Sequence, residues 1–234
     1  MPYLRAKKKL EQLENTYEEG RVLLIDKPYD WTSFDVIRKV RNVLRIKKIG
    51  HAGTLDPLAS GLLILCTGKF TKRINDYMAA EKEYIGSFTL GATTPTYDLE
   101  SEPENLLPVQ NFNEAELQNA TKAFAGEIFQ VPPMHSAIKK DGKRIYKLAR
   151  QGKEIELEPR KITIKEFVIT RIELPMVHFR VVCSTGTYIR SLANDYGKAL
   201  GSGAYLSGLV RTRIGEFELK DAVTIQQLED AAHK

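Results

Sequence analysis

The residues that can do chemistry are concentrated in one short segment, residues 50 to 61. It reads Gly50-His51-Ala52-Gly53-Thr54-Leu55-Asp56-Pro57-Leu58-Ala59-Ser60-Gly61. Because Pro57 disfavours helical geometry at Asp56 and lacks a backbone N–H, Asp56 is predicted to lie in a constrained loop. A carboxylate presented by such a loop can act as a nucleophile or a general base. Spacing alone favours the alternative, an Asx-turn in which Asp56 only accepts hydrogen bonds from nearby backbone.

The sequence lacks the common signatures of cofactor binding and activated nucleophiles. Gly68-Lys69 is followed by Phe70 instead of Ser or Thr, and GxGxxG, GxSxG and HExxH do not occur. The four histidines are scattered and the two cysteines, Cys66 and Cys183, form no CxxC pair. No metal site or disulfide framework is therefore predicted, and both cysteines are expected to be small core residues. Any reaction is expected to use side chains alone, with neither cofactor nor metal.

Three elements are predicted in the sequence around this loop. Val22-Leu23-Leu24-Ile25 and Leu62-Leu63-Ile64-Leu65 are short apolar runs typical of buried strands. Between them, Thr32 or Ser33 can cap a helix whose apolar residues recur at helical spacing. The other face of this helix and the residues after its C-terminus are basic: Arg38, Arg41, Arg45, Lys47 and Lys48. These side chains can hold phosphates electrostatically, or they can form an ordinary solvated surface.

The rest of the chain mixes strands and helices. Apolar residues with a period of two predict strands over residues 84–90 and 177–183, and helical spacing predicts helices over residues 113–126 and 191–200. Because strands and helices do not alternate as regular βαβ units, an α+β architecture is predicted rather than a doubly wound sheet.

Composition describes an ordinary globular protein. The chain has 234 residues, 42% hydrophobic and 28% charged, which favours one large domain. Thirty-five Lys and Arg against 30 Asp and Glu give a net charge of +5, compatible with a polyanionic partner. No signal peptide and no apolar run of membrane-spanning length is found, so a cytoplasmic location without membrane association is expected. Residues 1–20, rich in Lys and Glu, are predicted to be an extension preceding the domain.

Four ordered blocks carry a resemblance to a known family. The first is the loop above, in the pattern GHAGTLDPxAxGxL. The others run from Lys82-Glu83-Tyr84 to Thr96-Tyr97-Asp98, from Pro132 to Lys139, and from Gly186 to Leu192. Together they resemble the TruB family of tRNA pseudouridine synthases over residues 21 to 230. The resemblance implies a pseudouridine synthase fold, a central mixed or mostly antiparallel sheet flanked by helices with a catalytic cleft.

The resemblance also implies an activity and its residues. The family isomerises the T-loop uridine at tRNA position 55 to pseudouridine by flipping the base, without a cofactor. Asp56 matches the invariant aspartate that attacks or deprotonates the nucleoside, and Arg190 the guanidinium beside it, which favours the ionised carboxylate. Tyr84 matches the residue that stacks on the flipped base.

Three more residues match the family's RNA-contacting positions. Tyr188 resembles a pocket residue that hydrogen-bonds the base or moves its proton, His51 a histidine that meets the RNA loop, and Lys72 a lysine near the cleft. Residues 130–152, rich in Lys and Arg around Tyr146, resemble an insertion that closes over the T-arm. The catalytic domain is predicted to span residues 21–234, with no separate C-terminal RNA-binding domain.

Several alternatives remain open. A guide-RNA-dependent synthase subunit shares the same blocks, and an RNA-binding or tRNA-folding protein would need no catalysis. A uridine methyltransferase is disfavoured because neither cysteine stands in a nucleophile motif. The partner expected is tRNA, bound through its T-arm by a monomer with no obligate protein partner. The residue types are compatible with attack of Asp56 on the sugar and with attack on the base.

Overall fold

The structure, a computed structural model, describes residues 17–134, 139–140, 143–144 and 157–232. Its helices are α1 Ser33–Leu44, α2 Ile74–Ala79, α3 Glu114–Thr121, α4 Ile189–Ala199 and α5 Ile225–Ala232, with 3-10 helices at Gly68–Arg73, Lys122–Phe124 and Leu219–Asp221. Its strands are β1 Val22–Lys27, β2 Ile49–His51, β3 Ser60–Thr67, β4 Lys82–Leu90, β5 Gly126–Gln130, β6 Lys139–Lys140, β7 Lys143–Arg144, β8 Arg160–Glu173, β9 Met176–Cys183, β10 Ala204–Ile214 and β11 Phe217–Glu218.

The chain divides into two compact units. The first contains the described residues up to Lys82 and those from Val210 onward, and the second contains Glu83–Leu209. In the first unit β3 is the central strand. β1 runs antiparallel along one edge of β3, while β2 pairs antiparallel and the end of β10 parallel with the other edge. Strand β11 pairs antiparallel with β10.

Both faces of β3 are covered, which explains its unbroken apolar run. Leu63 and Leu65 pack in one cluster with apolar residues of α1, and Leu62, Ile64 and Cys66 pack in another with Ile214. A strand buried on both faces has no polar face and therefore reads as a continuous apolar segment. The strand predicted over residues 62–65 is thus confirmed, and Cys66 is a core residue as predicted.

Helix α1 begins at a reciprocal cap. The Thr32 side chain accepts a hydrogen bond from the backbone N–H of Asp35, and the Asp35 carboxylate accepts one from the backbone N–H of Thr32. This capping box satisfies backbone donors that the first turn leaves free. Arg45 ends the helix in the left-handed conformation, with φ of 53°. The cap fixes where the helix starts, and so places Ser33 as its first residue.

The second unit contains, in sheet order, the first part of β10, then β4, β9, β8 and β5. Strands β8 and β9 form a long antiparallel hairpin, and β5 pairs antiparallel with β8. Its core is aromatic: the rings of Phe88 and Phe179 stack with centroids 4.1 Å apart, and Tyr196 of α4 lies 5.6 Å from Phe88. The Tyr196 hydroxyl donates to the Leu117 carbonyl of α3 at 3.0 Å. Tyr196 thus joins α4 to α3 through its hydroxyl and to the sheet through its ring.

The α+β class and the mixed sheet are confirmed. The period-two pattern is also confirmed, since Phe88, Leu90, Val177 and Phe179 are buried. Residues 1–16 and most of the basic segment 130–152 lie outside the described residues, so the interpretations given to them stay predictions. Within the described part of the chain, no helix combines the length and apolar character needed to cross a membrane.

Candidate active site

The loop that carries Asp56 connects β2 to β3 in the first unit. The backbone N–H of Ala59 donates to the Asp56 carbonyl at 3.1 Å, which closes a turn with Pro57 at its second position. Proline suits that position because its fixed φ matches the turn. Asp56 is partly exposed, whereas Leu55 before it is buried. The turn therefore holds a carboxylate at the surface of the unit while its neighbour enters the core.

Ser33 anchors the loop one residue before Asp56. Its Oγ accepts a hydrogen bond from the Leu55 N–H at 2.9 Å and donates to the Leu55 carbonyl at 3.1 Å. Ser33 is buried and is fixed by its place at the start of α1. Both backbone groups of Leu55 are thus satisfied by one hydroxyl, so the orientation of the chain entering Asp56 depends on this helix.

Lys27 anchors the loop one residue after Asp56. Its side chain has no exposed surface, and its Nζ donates to the carbonyl oxygens of Pro28 at 3.0 Å, Pro57 at 3.2 Å and Trp31. The pKa of Lys27 is lowered to about 8: burial lowers it most, the negative charge of Asp56 opposes that shift, and the positive charge of Arg211 adds to it. The negative charge of Asp56 therefore favours the ammonium form of Lys27.

His51 ends β2 and is partly buried at the start of the loop. Burial lowers its pKa, the Gly53 backbone opposes that shift, and Arg211 adds to it. Its Nδ1 is buried and has no hydrogen-bond partner among the described residues. Since its ordinary pKa is already below 7, a neutral imidazole is present at neutral pH. Lys72, by contrast, is an exposed residue of the 3-10 helix Gly68–Arg73.

Arg190 is the second residue of α4 in the other unit, and it is only 5% exposed. Its Nη1 donates to the Thr96 carbonyl at 3.3 Å and lies 3.5 Å from a carboxylate oxygen of Asp98. Tyr97, between these two partners, has a φ of 62°. This left-handed residue turns the chain so that a carbonyl and a carboxylate reach the same guanidinium.

Tyr188 and Tyr84 also belong to the second unit. The backbone of Tyr188 is held by Gln130, whose Oε1 accepts from the Tyr188 N–H at 2.8 Å and whose Nε2 donates to the Tyr188 carbonyl at 3.1 Å. Tyr188 precedes α4 and is partly buried. Tyr84 is a buried residue of β4, and Ile85 beside it is exposed. Three of the predicted site residues thus lie in each unit.

Two matches place this chain in a family. The N-terminal domain of the TruB family pseudouridylate synthases matches residues 41–189, and the C-terminal domain of tRNA pseudouridylate synthase B matches residues 190–234. The chain therefore belongs to the TruB family of pseudouridylate synthases. The tRNA pseudouridine synthase B of Flavobacterium johnsoniae is 55% identical over 222 residues, which cover 92% of this chain and 97% of the relative. That of Chlorobaculum tepidum is 48% identical over 218 residues, covering 91% of each chain.

Solved structures confirm the pseudouridine synthase fold. A Cbf5-Nop10-Gar1 complex contains a chain that matches with a TM-score of 0.73 at 32% identity, over 93% of this chain and 56% of that one. An H/ACA RNP bound to a substrate RNA containing 2'-deoxyuridine matches with a TM-score of 0.70 at 30% identity, over 93% of this chain and 55% of that one. This chain thus spans little more than half of those proteins. The predicted domain limits, including the absence of a separate C-terminal RNA-binding domain, stay predictions.

Sequence reasoning missed the side chains that hold the Asp56 loop. The sequence indicates Ser33 only as a possible cap, and Lys27 and Arg211 were not among the predicted site residues. A signal existed for Lys27, a charged residue that continues an apolar strand directly before proline. No local signal distinguishes Arg211 from Arg213, two positions away on the same strand, because the partners of each are remote in sequence.

Proposed function

We propose that this protein converts the T-loop uridine at tRNA position 55 to pseudouridine, with Asp56 as the catalytic carboxylate. Isomerisation of uridine in tRNA is the activity of the relatives named tRNA pseudouridine synthase B, which this chain matches over 92% of its length at 55% identity. The observation that carries the residue assignment is the loop: Leu55 and Pro57 are each anchored by a buried side chain, and Asp56 stands between them. Such preorganisation is what a reacting group requires.

The chemistry balances without an external reagent. Asp56 attacks either the ribose C1′ or the base C6, and the bond between N1 and C1′ breaks. The uracil turns, its C5 forms a new bond to C1′, and the carboxylate is released. The C5 proton is lost and N1 gains a proton, so the product is an isomer of the substrate. Neither an oxidant nor a nucleotide is consumed.

The other predicted residues have roles around this step. Arg190, held by Thr96 and Asp98, brings a positive charge that favours an ionised carboxylate. Tyr84 stacks on the flipped uracil, which has lost its neighbours in the RNA. Tyr188 hydrogen-bonds the base or helps to move its proton. His51, neutral at neutral pH, contacts the RNA loop, and Lys72 approaches a phosphate.

The RNA contacts are proposed to lie on the exposed face of α1 and on the residues that follow its C-terminus. The RNA partner is the T-arm of tRNA, and the proposed location of the protein is the cytoplasm. Not all of the basic residues there are available. Arg38 pairs with Asp35, Lys39 with Glu229 and Lys47 with Glu18. Arg45 and Lys48 have no carboxylate partner among the described residues, so they are the better candidates for phosphates.

A guide-RNA-dependent subunit is the second candidate. It is favoured by the similarity to chains of H/ACA complexes, one of them bound to a substrate RNA. The stand-alone enzyme is preferred because the bacterial relatives are matched over nearly their whole length, at higher identity. A tRNA-folding role is compatible with either activity.

The test is incubation of the purified chain with an unmodified tRNA transcript, without guide RNA, followed by chemical mapping of pseudouridine. Pseudouridine at position 55, absent when that uridine is replaced by cytidine, supports the proposal. Asp56→Asn, nearly isosteric and unable to attack, is expected to bind the tRNA and form no product. The matched control is Asp76→Asn, an exposed residue paired with Arg73. Product from Asp56→Asn at the wild-type rate removes Asp56 from the mechanism.

A further inference from the structure

Arg211 is a buried cation of β10 that binds the backbone on both sides of Asp56. It is only 1% exposed. Its Nε donates to the Leu62 carbonyl at 2.8 Å, its Nη1 to the Thr54 carbonyl at 3.3 Å and its Nη2 to the Gly53 carbonyl at 3.3 Å. Gly53 and Thr54 precede Asp56, and Leu62 follows the loop in β3. One guanidinium therefore ties the entry of the loop to the strand that it leads into.

The position of Arg211 in the sheet is fixed by Gly61. The two residues pair in register between β3 and β10, and Gly61 has a φ of 100°. A Cβ atom at Gly61 would lie 2.5 Å from the Arg211 carbonyl oxygen and 2.9 Å from its nitrogen. Only glycine permits this approach of the two backbones. The close pairing brings the side chain of Arg211 to the carbonyls of the loop.

The partners of Arg211 point to a role beyond packing. Burying a guanidinium is costly unless its donors are satisfied, and an apolar residue fills a core at lower cost. Two of its three acceptors belong to the loop that carries Asp56. The acceptors of Arg211 are reached by three separate nitrogens, Nε, Nη1 and Nη2, and the single nitrogen of a lysine cannot reproduce this planar spread of donors.

We propose that Arg211 is a positioning residue for the isomerisation, holding the carbonyl oxygens of Gly53 and Thr54 so that the Asp56 carboxylate keeps its place. The inference rests on the proposed function, because it requires that Asp56 reacts with the substrate. A displacement of about 1 Å at a reacting group costs on the order of 100-fold in rate. Arg211 contributes by preventing such a displacement and has no contact with the substrate.

Arg213 provides a matched control on the same strand. Its guanidinium pairs with Glu81 at 2.9 Å and donates to the Gly215 carbonyl at 3.0 Å, and neither of these two partners belongs to the Asp56 loop. Arg213 is also an arginine of β10 and lies two residues after Arg211. Replacing either arginine removes donors from β10, but only the Arg211 replacement releases the loop.

The experiment compares Arg211→Lys and Arg211→Met with Arg213→Lys and Arg213→Met. Single-turnover rates on tRNA are measured at saturating protein, with the Kd for tRNA, the Tm, and hydrogen exchange in the peptide covering residues 50–61. Arg211→Lys is expected to fold, to bind tRNA with unchanged Kd, and to react about 100-fold more slowly. Exchange in the loop peptide is expected to accelerate. Arg213→Lys is expected to match the wild type in rate and in loop exchange.

Three outcomes overturn the proposal. The first is a wild-type rate for Arg211→Lys, and the second is an equal loss of rate for Arg213→Lys. The third is failure of both Arg211 variants to fold while both Arg213 variants fold, which makes Arg211 a folding residue only. Failure of the proposed function looks different: the wild-type chain then forms no pseudouridine, or Asp56→Asn forms as much as the wild type.

Discussion

Lys27 and Arg211 stand on opposite sides of Gly61, each paired with it in register, one from β1 and the other from β10. Lys27 donates to the carbonyl of Pro57, and Arg211 to the carbonyls of Gly53 and Thr54. The loop that carries Asp56 is therefore bound by a buried cation on either side of its carboxylate. Glycine is required at residue 61 on the β10 side, because a side chain there would force β3 and β10 apart.

Gly61→Ala is expected to lower the free energy of unfolding by about 3 kcal/mol or more, and to abolish pseudouridine formation. The added Cβ meets backbone atoms of Arg211 at 2.5 and 2.9 Å, and backbone cannot move aside as a flexible side chain can. Gly126→Ala is the control, because Gly126 has a similar φ of 87° and nothing within 4 Å of the added Cβ. It is expected to cost only the conformational strain, about 1 to 2 kcal/mol. Urea denaturation of both variants distinguishes the two effects, and equal losses would contradict this account.

The charge of Lys27 is expected to make stability depend on pH. Its pKa is lowered to about 8 in the folded state, from 10.5, chiefly by burial. Between these values the unfolded chain binds more protons than the folded one, so the free energy of unfolding rises with pH. Below about pH 8 both states are protonated at Lys27, and its burial penalty is then present in full.

The measurement is the difference in unfolding free energy between the wild type and Lys27→Met at pH 7.5, 8.5 and 9.5. Titrations that both proteins share, such as that of the buried Cys66, cancel in this difference. The stability of the wild type relative to Lys27→Met is expected to increase steadily across the series. A constant difference would mean that Lys27 keeps its ordinary pKa in the folded state.

The elements around Asp56 could be predicted where local chemistry decides the structure. The apolar run from Leu62 to Leu65 is a strand because both of its faces are buried, and Thr32 caps α1 because its side chain reaches the N–H of Asp35. The helix predicted over residues 113–126 was too long, since α3 ends at Thr121. The prediction fails at its end because Gly126 has a positive φ and is the first residue of β5, which pairs with β8.

The contacts of Arg211 with the Asp56 loop could not be predicted from the sequence, for a different reason. Arg211 and Thr54 are 157 positions apart, and nothing in the neighbourhood of either residue indicates the other. The pairing depends on the parallel register of β10 with β3, which is a property of the folded sheet. The reacting carboxylate was indicated by resemblance to a family, whereas the residues that hold its loop became apparent only from the contacts.

Tyr84 offers a test of stacking against packing. Replacement by Phe keeps a flat ring and loses only the hydroxyl, whereas replacement by Leu removes the stacking surface, which is worth about 1–3 kcal/mol per base. Because Tyr84 is buried, both variants need a Tm measurement beside the single-turnover rate. Tyr84→Leu is expected to react about tenfold to 100-fold more slowly than Tyr84→Phe when both are folded. If the two rates agree with the wild type, Tyr84 is a core residue and has no role with the base.

Asp98 is the carboxylate that pairs with Arg190. Both side chains of the Arg190 and Asp98 pair are nearly inaccessible, at 5% and 6% exposure. Asp98 also accepts a hydrogen bond from the Glu100 N–H at 3.0 Å, which the Asn oxygen can still accept. Asp98→Asn therefore preserves the turn and removes only the charge. Loss of one partner from a buried pair costs about 3–5 kcal/mol, because the remaining charge keeps its desolvation penalty.

Glu166→Gln is the control for that substitution, because Glu166 pairs with Arg180 where both side chains are substantially exposed. Pairs at such positions contribute less than about 1 kcal/mol. Asp98→Asn is thus expected to lower the free energy of unfolding several times more than Glu166→Gln. It is also expected to slow single-turnover pseudouridine formation, because the proposed function gives the Arg190 guanidinium a role in the reaction and Asp98 holds that guanidinium. Urea denaturation and the rate are measured on the same preparations. If Asp98→Asn loses stability but keeps the wild-type rate, Arg190 is a structural ion pair and the proposed role beside Asp56 is wrong.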